Sequence, residues 1–189
     1  MKLPLEIFEQ HNIQYDWKTL YTGLILGRIE VRAIVDYAVD YLTAHPDTSN
    51  PHIIELAWGG EEIDYEKLLA LLTGRSWTYD RSVESDEWSI ESRKWRFGVL
   101  VTLSMEDQED RDLLEKVAEV YADFHYPEEM EAFIHYLPPS QDTGSLPDSI
   151  EGPVSGLMDE FRRFLRSEQQ YLQNGGTHLP CKRMDQNMR

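Results

Sequence analysis

Three residues in the stretch Leu113 to Ser140, LLEKVAEVYADFHYPEEMEAFIHYLPPS, have types and spacing that could do chemistry: Asp123, His125 and Glu128. Two carboxylates and an imidazole this close in sequence can pass protons or hold a divalent metal. The plainer reading is a corner between two helices, in which polar residues serve the turn and aromatic residues fill the gap. That reading is favoured. His52-Ile-Ile-Glu55 places a second imidazole and carboxylate at i, i+3 on one helix face. Di-metal bundles use this spacing, but they need a second copy and two further inward glutamates, and the chain holds no second copy. The sequence contains no Gly-rich phosphate loop, no His-Glu-x-x-His and no G-x-S-x-G elbow. Arg93-Lys94-Trp95-Arg96 is a basic cluster with an aromatic, a type that touches phosphate. Acidic segments surround it, so neutralisation within the chain is expected rather than nucleic-acid binding. The single cysteine, Cys181, excludes an internal disulfide and a Cys-rich zinc site. No catalytic residue, metal or cofactor is assigned.

The elements that would position these residues are helical. Leu113, Leu114, Val117, Val120 and Tyr121 form one stripe of 3.6-residue period before the corner. Met130, Phe133, Ile134 and Leu137 form another after it, with Pro127 suited to the first turn and Pro138-Pro139 ending the helix. Upstream, Pro4 to Gln10 reads as a short helix. Asp16 is a candidate N-cap for a helix from Trp17 to about Leu26, stopped at Gly27. Glu30 to about Ala44 follows, with Val31, Ile34, Val35, Ala38, Val39 and Leu42 on one face, as an antiparallel partner to the helix before it. Gly23 and Gly27 form a G-x-x-x-G that means close helix packing at most. Pro51 opens a helix to Trp58, and Asp64 caps one over Tyr65 to Thr73 that packs Leu68, Leu69, Leu71 and Leu72. Arg75 to Ser89 is polar and aromatic, a loop or a weak hairpin. Trp95 to Leu103 fits a buried helix or a buried strand; helical surroundings favour helix. Pro138 to Pro153 reads as a loop, and Ser155 as the cap of a last helix, Gly156 to about Gln173.

A chain of 189 residues with 41% hydrophobic and 11% aromatic residues can bury one real core. The net charge of -17 disfavours nucleic acid and anionic membrane surfaces and favours a basic protein partner. No apolar run approaches membrane-span length, and the N-terminal MKLPLEIFEQHN has no signal-peptide character, so a cytoplasmic location is expected.

Several of these pieces occur together and in order: Asp16-Trp17-Lys18-Thr19-Leu20-Tyr21-Thr22-Gly23, Ile34-Val35-Asp36-Tyr37-Ala38, Ile54-Glu55-Leu56-Ala57, Arg93-Lys94-Trp95-Arg96, and Tyr121-Ala122-Asp123-Phe124 through Tyr126-Pro127-Glu128 to Pro138-Pro139. In this the chain resembles domain of unknown function 2247, an uncharacterised bacterial family, over most of Leu5 to Ser140. The resemblance carries no catalytic residues. It implies an association with polymorphic or contact-dependent toxins, beside which small acidic families of this kind are often encoded as immunity proteins.

The expected fold is all-α: one domain over residues 1–173, of seven or eight short helices in stacked helical hairpins, then a polar tail over 174–189. The expected function is an immunity protein of bacterial competition, binding a basic toxin domain stoichiometrically and occluding its active site. Candidate contacts are acids beside aromatics: Trp77, Tyr79, Glu84, Asp86, Glu87 and Trp88, with a second patch at Glu106, Asp107, Glu109 and Asp110. The alternatives are a small metal-dependent hydrolase using Asp123 and His125, or a housekeeping adaptor.

Overall fold

The computed structural model describes residues 1–74, 86–134 and 151–175. Along them run α1 (Glu6–Gln10), α2 (Trp17–Ile25), α3 (Val31–Ala44), α4 (Pro51–Trp58), α5 (Tyr65–Leu72), α6 (Asp86–Met105) and α7 (Asp110–Asp123). A 3-10 helix (Glu128–Phe133) and α8 (Glu151–Gln173) complete the order. No strand occurs among the described residues, so the all-α expectation holds.

Local sequence sets three of the helix starts. The Asp16 carboxylate accepts the N–H groups of Lys18 and Thr19, and Thr19 Oγ1 accepts the Asp16 N–H at 3.1 Å. This is a reciprocal capping box with Thr in the place usually taken by Glu. Asn50 caps α4 ahead of Pro51, and Asp64 caps α5 through the Lys67 N–H.

Helix α6 is the centre of the packing. It contacts α1, α2, α7 and α8. Trp95, Phe97, Val99, Leu100, Val101 and Leu103 are all buried, a helix apolar nearly all round, which is why periodicity could not separate it from a strand. It is also longer than expected. Asp86 to Ser89 belongs to its first turn rather than to a loop or hairpin, while residues 75–85 lie outside the described residues. The Trp95 ring meets Phe8 edge-on at 5.0 Å, and its Nε1–H donates to the Thr19 carbonyl at 2.8 Å. A Cβ at Gly23 would lie 2.2 Å from that ring, so only glycine lets α2 approach.

Four other expectations are corrected. Helices α2 and α3 do not pack as a close antiparallel pair. α2 lies on α5 and α6, α3 lies on α4, and the two meet through rings, Trp17 against Tyr37 and Tyr41. The segment after Pro127 is a 3-10 helix rather than an amphipathic α-helix, and Pro127 precedes it. Met130, Phe133 and Ile134 are buried as expected, but Ile134 is already extended, and Leu137 to Ser140 lie outside the described residues. The last helix begins at Glu151, so Pro153 sits in its opening turn and Ser155 does not cap it. In α5, Leu71 is exposed rather than packed.

No described helix is long and apolar enough to cross a membrane.

Candidate partner-binding surface

The corner residues turn out to be structural. Asp123 closes a 2.7 Å ion pair with Arg28, which also lies over the Phe124 ring, tying the end of α7 to the turn after α2. His125 and Tyr126 both adopt positive φ, 62° and 60°, and are exposed; this left-handed pair reverses the chain between α7 and the 3-10 helix. Glu128 is the first residue of that 3-10 helix. Among the described residues no three His, Cys, Asp or Glu side chains come together as metal ligands, so Asp123, His125 and Glu128 do not form the cluster that their spacing allowed.

The basic cluster on α6 is neutralised within the chain, as its acidic surroundings suggested, its two arginines by distant acids and Lys94 by the flanking Glu91. Arg93 pairs with both Glu168 oxygens, and Arg96 reaches Glu129 at 2.6 Å and Glu168 at 3.3 Å. The Arg93 guanidinium also stacks over Tyr171 at 4.0 Å. Burial alone would raise the Glu129 carboxyl, but the Arg96 and Arg93 guanidiniums outweigh it and hold the carboxyl below its usual range. For Arg93, burial is likewise outweighed by Glu168, and its pKa is raised. One turn away, Lys94 binds Glu91 at 2.9 Å and Thr19 Oγ1 donates to Glu91 at 2.6 Å. These contacts join α6 to α2, to the 3-10 helix and to α8, and Arg96 Nε is left buried without a hydrogen-bond partner among the described residues.

The acidic candidates fall in two groups. Trp77, Tyr79 and Glu84 lie outside the described residues. Asp86 and Glu87 open α6, and Trp88 behind them is half-buried. Glu106, Asp107, Glu109 and Asp110 are all exposed around the turn from α6 to α7. Glu106 is held by Lys116 at 2.7 Å, and Asp110 faces Arg162 of α8 at 4.0 Å. Beside them, Leu113, Met158, Phe161 and Leu165 floor an open cleft of about 390 Å³. Among the described residues Asp107 and Glu109 make none of the ion pairs of this turn, and both are exposed.

One surface residue escaped the sequence reading. Trp58, the last residue of α4, is 84% exposed, the most exposed large apolar side chain among the described residues. A helical wheel reveals it. Ile53 and Leu56 mark the buried face of α4, and Trp58, five positions after Ile53, projects well away from that face.

A family model described as an uncharacterised protein conserved in bacteria, DUF2247, matches residues 5–169. The match runs past Ser140, where the legible motifs end, and takes in most of α8. No curated protein and no solved structure matches the chain in the comparisons made.

Proposed function

The chain belongs to the DUF2247 family of bacterial proteins, and from that premise we propose that it is a stoichiometric binding protein for a basic partner, acting as an immunity protein toward a toxin domain. One observation carries the reading: most cations among the described residues are engaged by the fold's own carboxylates, leaving an acidic surplus on the surface. Arg28, Arg93, Lys94 and Arg96 are paired in buried or half-buried positions, and Lys2, Arg32, Arg111, Lys116, Arg162 and Arg163 are paired outside. With 35 acidic residues against 18 basic ones, what remains outward is strongly negative. Such a field steers a basic protein into contact and repels nucleic acid, so the chain competes with the nucleic acid for a nucleic-acid-directed toxin. Neutralisation would follow from occlusion and would need no chemistry from this chain.

The test is recovery of the tagged full-length chain from its own bacterium. The expected result is a one-to-one complex with a basic domain whose toxicity is lost in the complex and regained on dissociation. Association should slow steeply with added salt, and replacing Asp107 and Glu109 by Lys should slow it about tenfold at low salt with little change in dissociation. Recovery of the chain alone, or of a partner that stays active when bound, would sink the proposal.

A further inference from the structure

Helix α3 carries more apolar surface than the core covers. Its apolar residues were expected to share one buried face, yet only Ile34 and Ala38 are fully buried. Val31 and Val39 are exposed, and Val35 between them is half-buried, an i, i+4, i+8 line along the outside of the helix. The end of α4 lies against this line. A Cβ at Gly59 would meet the Val35 methyls at 3.4 and 3.5 Å, so the backbone one residue after Trp58 lies against the middle of the valine row.

Trp58 is presented by a pinned loop. Gly59 and Gly60 take φ values of +67° and +137°, which turn the chain sharply out of α4. The Tyr65 hydroxyl, at the start of α5, accepts the Gly60 N–H at 3.0 Å and donates to the Gly60 carbonyl at 3.1 Å. Two hydrogen bonds from one buried tyrosine fix the residues next to Trp58. The backbone that carries the indole is therefore ordered before any partner arrives, which lowers the entropic penalty of binding.

The surroundings select the partner. Asp36 and Asp40 flank the valine row on α3, and Glu55, Glu61 and Glu62 flank Trp58; all five are exposed. Arg32 is the one cation in this stretch of α3, and it is paired with Asp36 at 2.9 Å. A second copy of the chain would bring one acidic rim against another, which disfavours self-association through this face. A tryptophan and valines inside a carboxylate rim match a protein segment with apolar side chains flanked by Lys and Arg.

We infer that the α3–α4 face, with Trp58 as its anchor, is the docking surface for the basic partner. This inference rests on the proposed function and adds to it a place. It puts the energetic centre on the side bearing Trp58 rather than at the turn from α6 to α7, where the acids serve steering.

The experiment compares three full-length chains as bait in the native cell: wild type, Trp58→Ala, and Val39→Glu combined with Trp58→Ala. Both side chains are exposed, so the variants should fold, and circular dichroism of each confirms it. The basic protein captured by wild type is then purified and titrated against each variant. Loss of about 30-fold or more in affinity with Trp58→Ala, mainly through faster dissociation, is expected for an anchor of this kind. A wild-type complex with a basic protein that Trp58→Ala and the double variant bind equally well overturns the docking face and leaves the proposed function standing. Absence of any basic partner for wild type overturns both. Concentration-dependent dimerisation of wild type, abolished by Trp58→Ala, assigns the face to a second copy and overturns the basic occupant.

Discussion

At the scale of single residues, the positions that make the family recognisable are packing positions. Asp16 caps α2, Thr19 links that cap to Glu91, and Gly23 exists because the Trp95 ring occupies the space of a Cβ. The motif therefore records where α2 meets α6. A methyl at Gly23 would have to displace a ring that is fully buried and hydrogen-bonded to the Thr19 carbonyl. Overpacking of this kind costs about 1–3 kcal/mol, and the fixed ring puts Gly23→Ala near the upper end. Trp95→Phe removes the atoms nearest that methyl, so the two substitutions should be strongly non-additive. Urea unfolding of both single variants and the double variant measures this. If Gly23→Ala is as costly in the Trp95→Phe background as in wild type, helix propensity and not the ring is the reason for the glycine.

At the scale of elements, the caps of α2 and α5 and the opening of α4 at Pro51 were legible because each rests on one residue acting over three or four positions. What was not legible depends on contacts far away in sequence. Met130 and Phe133 are spaced i, i+3, which satisfies a 3-10 helix as well as an α-helix, and only packing against α8 decides. The valine row of α3 reads as core in the sequence, and only the fold shows that Val31 and Val39 stay exposed. The acids of the α6–α7 turn were legible as charge, and Trp58 was legible only from its angle to Ile53 and Leu56 on the short helix α4. The docking of α8 could not be read at all, since Glu168 meets Arg93 and Arg96 across more than seventy residues. That clasp yields a prediction at its own scale. Glu168 is 3% exposed, so Glu168→Gln leaves two guanidiniums under-compensated and should cost about 3 kcal/mol at neutral pH, with faster amide exchange in α8. Glu129 is more exposed, and Glu129→Gln should cost less than about 1 kcal/mol. The folded-state pKa of Glu129 lies below its unfolded value near 4.5, so its contribution is present above that pH and is lost as pH falls through the folded value. Wild type should therefore lose stability below about pH 4.5 more steeply than Glu129→Gln. Parallel acid-unfolding slopes for the two would show that Glu129 is not part of the clasp in solution.

At the scale of the whole molecule, two kinds of electrostatics oppose each other, and salt separates them. The buried clasp lies where mobile ions do not penetrate, so it is nearly indifferent to ionic strength. The outer pairs, such as Lys2–Glu30, Arg32–Asp36 and Arg111–Glu115, have largely exposed side chains and contribute at most about 1 kcal/mol each, a part of which screening removes. Against them stands the mutual repulsion of a surface with net charge -17, which favours the expanded chain and is screened by the same salt. The excess of carboxylates is larger than the number of exposed pairs, so relief of repulsion should win. Sodium chloride should then raise the thermal midpoint by a few degrees, equivalent to about 1 kcal/mol, over a range in which the screening length falls from about 30 Å to below 10 Å. Beyond that range the gain should level off, because neighbouring charges are already screened from one another. The same salt should weaken capture of a basic partner, so stability and association ought to move in opposite directions in one titration. Scanning calorimetry across that titration, with an uncharged osmolyte as control, measures the first half of the statement. A midpoint that falls as salt is added would mean that the exposed pairs are a cooperative network holding the fold, and the acidic surface would then be a feature of stability rather than a field turned toward a partner.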